Sequence, residues 1–392
     1  MKSWAEISGA RLVENLRVVQ SIVNVGGGAE TLGVIKANAY GHDAAIVARV
    51  LVKAGVRWLG VADVEEGARV RAVVGDGIRL LVMGGLEEAD CKAVLDYSLT
   101  PVVWTVEHVE MLERAAKEAG REVRVHLEID TGMARQGVDL EGVAVVAERL
   151  AESKQMQCEG VMSHLVAAEV EGSAVTKRQE EKLAAAVQVV VNKGATLQWL
   201  HLAATSAVDE GSTLGFMQQL AAGVGARVMV RPGIALYGYC MPLSVGDKGD
   251  DGREGAVTSR LKPVLTWKTR VVGIREIRVG ETVGYGATFI AKSLRRLALL
   301  PVGYWDGFRR AGSSGVGDGW VMIAGRRAAV VGRVSMNLTV VDVTDMERVV
   351  GVGDEVVLIG EGVTADDHAQ WSETISYEIL CGIRAKFVEK EC

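Results

Sequence analysis

From Leu32 to Ile234, short apolar runs alternate with stretches whose apolar positions recur at helical spacing. The runs are Leu32–Lys36, Trp58–Ala62, Leu80–Gly84, Thr100–Trp104, Val123–Ile129, Cys158–His164, Leu197–Ala203 and Val228–Ile234. Runs this short, rich in Val, Leu and Ile, read as strands buried on both faces. Between them, Ala44–Ala54, Val64–Val74, Val106–Gly120, Leu140–Ser153 and Ala174–Lys193 read as amphipathic helices. Strand-then-helix units in this number predict an α/β fold, an eight-stranded parallel (β/α)8 barrel. An open doubly wound sheet is the competitor. It calls for a Gly-rich phosphate loop after the first strand, and the Lys36–His42 segment has no G-x-G-x-x-G.

Past the barrel the pattern changes. Met241–Pro263 is Gly- and Asp-rich and reads as a linker or exposed loop. Beyond it, Leu265–Ile274, Leu297–Val302, Val321–Ile323, Ala328–Val334, Thr339–Val343 and Glu355–Ile359 read as strands without intervening helices. A short helix is expected over Thr374–Gly382, and the Gly-rich run Gly312–Gly319 reads as a hairpin connection. The chain therefore divides into a barrel over 1–242, a linker over 243–262 and a mostly-β C-terminal domain over 263–392.

Composition narrows the function. Charged residues at 24%, hydrophobic residues at 49% and a formal charge of −6 describe a folded, mildly acidic protein, and no basic tract suggests nucleic acid. The five cysteines are scattered without a C-x-x-C pair, which argues against a disulfide framework or a structural metal. No apolar run has membrane-spanning length and the N-terminus lacks a secretory pattern, so a soluble, cytoplasmic protein is expected.

Barrel chemistry collects at the C-terminal ends of the strands. Lys36 and Tyr40 follow the first strand, and Glu128, Asp130 and Arg135 the fifth. His164 follows the sixth, His201 and Thr205 the seventh, and Arg231, Gly233 and Ile234 the eighth. A lysine desolvated at a strand end has a lowered pKa, and its neutral amine can condense with an aldehyde. Backbone N–H groups after the last two strands, with a Thr hydroxyl in support, suit a phosphate. An aldehyde-seeking lysine and a phosphate cradle on one rim suggest pyridoxal 5'-phosphate.

The motifs V-I-K-A-N-A-Y-G-H (34–42), D-T-G-M-A-R (130–135), V-R-P-G-I-A-L-Y-G (230–238), V-G-Y-G-A-T-F (283–289), P-V-G-Y-W-D-G (301–307) and V-G-R-V-S-M-N (331–337) occur in this order. Together they resemble the alanine racemases, pyridoxal-phosphate enzymes of fold type III, over nearly the whole chain. The resemblance implies interconversion of L- and D-alanine, supplying D-alanine for peptidoglycan. It implies that Lys36 holds the cofactor as a Schiff base and serves as one proton-transfer base, with Tyr285 as the base on the opposite face. A racemase needs such a pair, since a proton removed from one face must be replaced on the other. Arg231 would face the pyridine nitrogen, with His164 as hydrogen-bond partner of Arg231 or Tyr285. Arg135 would reach the cofactor's phenolic oxygen, and Tyr40, Thr205, Gly233 and Ile234 its phosphate. Tyr304 and Met336, with Arg135, would receive the substrate. The resemblance further implies a homodimer in which Tyr285, Tyr304 and Met336 of one chain act on Lys36 of another.

Three positions depart from the family pattern. Glu128 stands where a carbamylated lysine is common and is expected to pair with Arg135. Ala204-Thr205 replaces an Asn-Ser pair. A C-terminal tyrosine of the phosphate shell aligns near Ala385, so that contact is expected to be missing. Trp305, in place of a small residue beside Tyr304, leaves a broad-specificity or serine-type racemase as the alternative.

Overall fold

The structure is a computed structural model that describes residues 2–24, 28–245, 250–251 and 254–390. Contacts group the chain into two compact units, one of Leu12–Ala39 and Val47–Lys262, the other of Met1–Arg11, Tyr40–Ile46 and Pro263–Cys392.

The first unit is the barrel expected from the alternation. Strands β2 (Glu30–Val34), β3 (Trp58–Val61), β4 (Arg79–Val82), β5 (Thr100–Val103), β6 (Val123–Glu128), β7 (Met156–Met162), β9 (Trp199–His201) and β10 (Arg227–Val230) close on themselves, β10 pairing with β2. The short β8 (Val170–Glu171) pairs instead with β11 (Ser244–Val245), which pairs with β12 (Asp250–Asp251). Helices α1 (Gly9–Val23), α2 (Lys36–Gly41), α3 (Ala44–Lys53), α4 (Val64–Val74), α5 (Cys91–Asp96), α6 (Val106–Glu118), α7 (Val143–Glu152), α8 (Ala174–Asn192), α9 (Thr205–Glu210) and α10 (Ser212–Gly223) fall between or beside the strands. Asp63 and Thr105 accept from the N–H groups of Glu66 and His108, so α4 and α6 begin where their caps stand.

Buried polar groups pack together among the barrel strands. The Arg79 guanidinium lies 4.4 Å above the Trp58 ring, forms an ion pair with buried Glu159 and donates to Thr100 Oγ1 at 2.8 Å. Glu159 Oε1 is 3.4 Å from His126 Nε2, and His126 Nδ1 is 2.7 Å from His201 Nε2. Gly160 makes this packing possible, because a Cβ there would fall 2.7 Å from the His126 ring. Burial holds the His126 and His201 pKa values down, and Arg79 with His126 offsets burial to keep Glu159 below the usual carboxylate range. The imidazoles are neutral and the carboxylate is ionised.

The reading of Met241–Pro263 as a linker or exposed loop falls partly outside the described residues, at 246–249 and 252–253. Within the described part, Ala256–Thr258 is fixed. Fully buried Asp209 accepts from the N–H groups of Val257 at 2.7 Å and Thr258 at 3.1 Å, and from the Thr258 hydroxyl at 2.5 Å.

The second unit carries a six-stranded sheet in the order β19-β18-β21-β13-β1-β22. Here β1 is Ser3–Ser8, β13 Leu265–Arg270, β18 Trp320–Ile323, β19 Arg326–Ala329, β21 Glu355–Ile359 and β22 Lys386–Lys390. A three-stranded sheet joins β14 (Gly273–Ile277), β17 (Arg295–Leu300) and β20 (Thr339–Asp342), and β15 (Thr282–Val283) pairs with β16 (Phe289–Ile290). Trp267, Phe308, His368 and Trp371 pack ring against ring at centroid distances of 4.3–6.5 Å. Aromatic pairs at such spacings contribute about 0.5–1.5 kcal/mol each beyond their buried area.

Several readings of this half need correction. Leu265–Ile274 is two strands in two sheets, parted at Val271 and Val272. Gly312–Gly319 joins no pair of bonded strands; it leads into β18, whose hairpin to β19 turns at Ala324-Gly325. The half also contains an unexpected helix, α11 (Ala365–Trp371), held by a Thr364–Asp367 capping box, whereas the short helix expected over Thr374–Gly382 is present as α12 (Ser376–Cys381). Residues 3–8 form the second-last strand of the C-terminal sheet, between β13 and the edge strand β22.

Candidate active site

Each part of the site grows from a strand end. After β2 the chain enters α2, where Ala37, Asn38, Ala39 and Tyr40 have φ of 54°, 52°, 57° and 52°. This is a left-handed turn of four L-residues, and each costs about 1–2 kcal/mol because Cβ crowds the following carbonyl. Strain of this kind persists only where the surroundings over-determine it, and it gathers at functional sites. The turn keeps helical bonding, with the Ala39 N–H donating to the Ile35 carbonyl at 2.8 Å. Lys36, at its head, is half-buried.

After β6, buried Glu128 accepts from Gln136 Nε2 at 2.5 Å, and burial pushes its pKa up. This corrects the expected Glu128–Arg135 pair. The Asp130 carboxylate accepts from the N–H groups of Gly132 and Ala134, which turns the loop so that Arg135 is exposed beyond it. Gln179, on α8 and buried, joins this loop to the one after β7. Its Nε2 donates to Thr131 Oγ1 at 3.0 Å and to the His164 carbonyl at 2.9 Å, while its Oε1 accepts from the Val166 N–H at 2.9 Å.

After β10, Arg231 is buried. Its Nη2 donates to the Ser163 carbonyl at 2.6 Å and lies 3.3 Å from His164 Nδ1. Burial lowers the Arg231 pKa to about 10, and Glu128 partly offsets that effect, so the guanidinium stays charged near neutrality. Burial, then the charges of Arg231, Arg135 and Lys36, push His164 down to about 3. The imidazole is therefore neutral, and because a guanidinium can only donate, Nδ1 accepts and the ring proton sits on Nε2. Arg231 Nη1 is a buried donor with no partner among the described residues. Beside it, Thr205 Oγ1 accepts from the N–H groups of Gly233 at 3.2 Å and Ala235 at 3.3 Å, fixing the 3-10 turn Ile234–Tyr237. His201 does not join the rim; it lies inside the barrel against His126.

The second unit carries the other predicted residues. Tyr285 stands in a tight turn between Gly284 and Gly286, whose φ values of 72° and 74° suit glycine. It is 70% exposed. The Tyr304 and Trp305 N–H groups donate to the carbonyls of Ser335 at 3.1 Å and Met336 at 2.9 Å, which brings Tyr304, Trp305 and Met336 together. Gly303 allows this approach, since a Cβ there would fall 2.1 Å from the Ser335 oxygen. Trp305 is stacked under the Arg384 guanidinium at 4.1 Å. All three side chains are exposed.

Tyr40 belongs to this unit, where its ring is 6.0 Å from that of Tyr377. Burial and the neighbouring Tyr377 and Cys381 raise its pKa, which keeps the phenol protonated. A C-terminal tyrosine thus accompanies Tyr40, at 377 rather than near Ala385. Sequence reasoning passed over Tyr377, Gln136 and Gln179, none of which stands in a motif; only the S-Y-E start of the C-terminal helix hinted at the first.

The alanine racemase N-terminal domain family matches residues 7–241, and the alanine racemase C-terminal domain family matches residues 264–390. The chain is 37% identical to the alanine racemase of Symbiobacterium thermophilum over 97% of its own length and 94% of that protein's. It is 34% identical to the alanine racemase of Halothermothrix orenii, again over 97% and 94%. Among solved structures, alanine racemase from D-cycloserine-producing Streptomyces lavendulae superposes with a TM-score of 0.87 at 27% identity, covering 100% of this chain and 98% of that one. The Bartonella henselae alanine racemase, solved with covalently bound pyridoxal phosphate, gives 0.81 at 26% identity with full coverage of both chains. Both halves of the molecule, and the order in which their motifs occur, place this chain in the alanine racemase family.

Proposed function

We propose that this protein racemises alanine with pyridoxal 5'-phosphate, using Lys36 and Tyr285 as its two proton-transfer groups, and that it works as a homodimer. The observation that carries the reading is Arg231. A charged, buried guanidinium with one donor nitrogen lacking a partner suits an uncharged ring nitrogen that can only accept. In the neighbouring Thr205–Gly233–Ile234 turn, whose Gly233 N–H donates to the Thr205 hydroxyl oxygen, the Thr205 hydroxyl and the Ile234 N–H are donors of the kind that bind a phosphate. Lys36 supplies the amine. The residues present fit the cofactor.

When bound, pyridoxal phosphate supplies an electron sink that acidifies the substrate Cα–H. The chain's own groups do the rest. Arg231 cannot deliver a proton to the ring nitrogen near neutral pH, which restrains the sink and disfavours transamination. Neutral His164 accepts from Arg231 and keeps the guanidinium in place without adding a second positive charge. Lys36 takes or gives the proton on one face of Cα and the Tyr285 hydroxyl on the other. Arg135, exposed beyond the Asp130 loop, is placed for a carboxylate or phenolate, and Tyr304 with Met336 forms the substrate side.

The exposure of Tyr285, Tyr304 and Met336, at 70%, 43% and 55%, supports the dimer. A phenol that must move a proton within a dry site needs cover, and a second copy of this chain would provide it. The role is supply of D-alanine for peptidoglycan in the cytoplasm. Among the described residues no helix is long and apolar enough to cross a membrane. The test is conversion of L-alanine to D-alanine by the purified protein with added pyridoxal phosphate, with L-serine and L-lysine alongside. Preferred turnover of alanine is expected. A preference for serine would favour the alternative in which Trp305 reshapes the entrance, and no turnover of any of the three would contradict the reading.

A further inference from the structure

The left-handed turn that follows Lys36 is tethered by a side chain from outside it. The Val34 carbonyl, four residues before Asn38, accepts the Tyr237 hydroxyl at 2.9 Å. The Asn38 N–H donates to Glu66 Oε1 at 3.2 Å, and the second oxygen of the same carboxylate accepts from the Ala62 N–H at 2.9 Å. Glu66 is itself fixed, because its N–H donates to the Asp63 cap of α4 at 2.8 Å. One carboxylate therefore ties the start of a strained turn to the loop after β3. A side chain with no acceptor oxygen would leave both backbone donors to find partners elsewhere, and one with a single acceptor would leave one. A turn of four left-handed L-residues is intrinsically less stable than a right-handed one, so contacts such as this tether hold it, and with it the direction in which the preceding side chain leaves the strand.

The geometry points to Glu66 as a positioning residue for Lys36: by holding Asn38 and Ala62 it sets the direction of the amine that must meet the cofactor aldehyde. This rests on the reading of Lys36 as the cofactor-bearing lysine. The two carboxylate bonds of Glu66 run to the backbone of Asn38 and Ala62.

The experiment compares two ligands on the wild-type, Glu66→Ala and Glu66→Gln proteins. Pyridoxal phosphate gains affinity by condensing with Lys36; pyridoxamine phosphate has the same ring and phosphate but no aldehyde. Loss of the tether should weaken pyridoxal phosphate binding about tenfold or more in Glu66→Ala, with pyridoxamine phosphate binding unchanged. Glu66→Gln, close in shape and keeping one acceptor, should show the same selectivity in smaller measure, which keeps the test open if the alanine variant folds poorly. Equal weakening of both ligands would mean a general loosening of the barrel and would overturn the assignment, as would no weakening of either. Borohydride reduction of the wild type separates the two layers. A reduced linkage on Lys36 upholds the parent reading whatever Glu66 does; its absence overturns that reading and the Glu66 assignment together.

Discussion

His164 Nδ1 sits 3.3 Å from Nη2 of Arg231, and the pair shares a single positive charge. Arg231 holds it, because burial and the surrounding cations push His164 down to about 3. The imidazole should thus remain neutral, with its proton on Nε2, throughout the range in which the enzyme works. Ring-nitrogen chemical shifts of labelled protein between pH 5 and 9 check this. They should show no protonation of His164, and a titration near the ordinary histidine value would contradict the arrangement.

The same physics makes the fold acid-sensitive. His126, His201 and His368 are buried and all have lowered pKa values, His368 to about 4. Each binds a proton in the unfolded chain that it refuses in the folded one. Their contribution is therefore fully present above about pH 6.5 and is lost as the pH falls toward the folded values. Each lowered histidine contributes a slope of up to about 1.4 kcal/mol per pH unit in that window. Denaturant unfolding at pH 7, 6, 5 and 4.5 should show stability dropping steadily below 6.5. A flat profile would mean that these rings are not buried neutral.

Much of this site could be read along the chain, and what escaped did so for physical reasons. Lys36, His164, Thr205 and Arg231 stand at strand ends because a parallel barrel puts the end of every strand on one rim, so that counting strands locates them. His201 shows the limit of that rule. It is the last residue of β9 yet points at His126, and only the three-dimensional pairing of β6, β7 and β9 decides between rim and interior. Glu128 was matched with Arg135 on the family resemblance, whereas the turn at Asp130 leaves Arg135 exposed and Gln136 donating to Glu128. Strand β1 offered too short a signal, since its burial comes from β13 and β22, more than 250 positions away. The left-handed turn at Ala37–Tyr40 has little signature in residue type, because two of its members are alanines, the best right-handed helix formers, and none is glycine.

Mixed dimers probe the partnership of chains. Lys36→Ala should lose the absorbance of the covalently held cofactor and all activity, and Tyr285→Phe should keep the absorbance and lose racemisation. Co-refolded or exchanged mixtures of the two inactive chains should recover part of the wild-type rate, because one of the two sites in each mixed dimer would hold both an intact lysine and an intact tyrosine. Verified mixed dimers without any recovery would mean that each site is built from one chain.

The most direct measurement follows the α-hydrogen of alanine in deuterium oxide with the Tyr285→Phe holoenzyme. If Lys36 and Tyr285 serve opposite faces, the variant should wash deuterium into only one enantiomer, through Lys36, while interconversion of L- and D-alanine falls by several orders of magnitude. Continued racemisation at a rate near that of the wild type, or deuterium entering both enantiomers equally, would show that one base serves both faces and would contradict the two-base account.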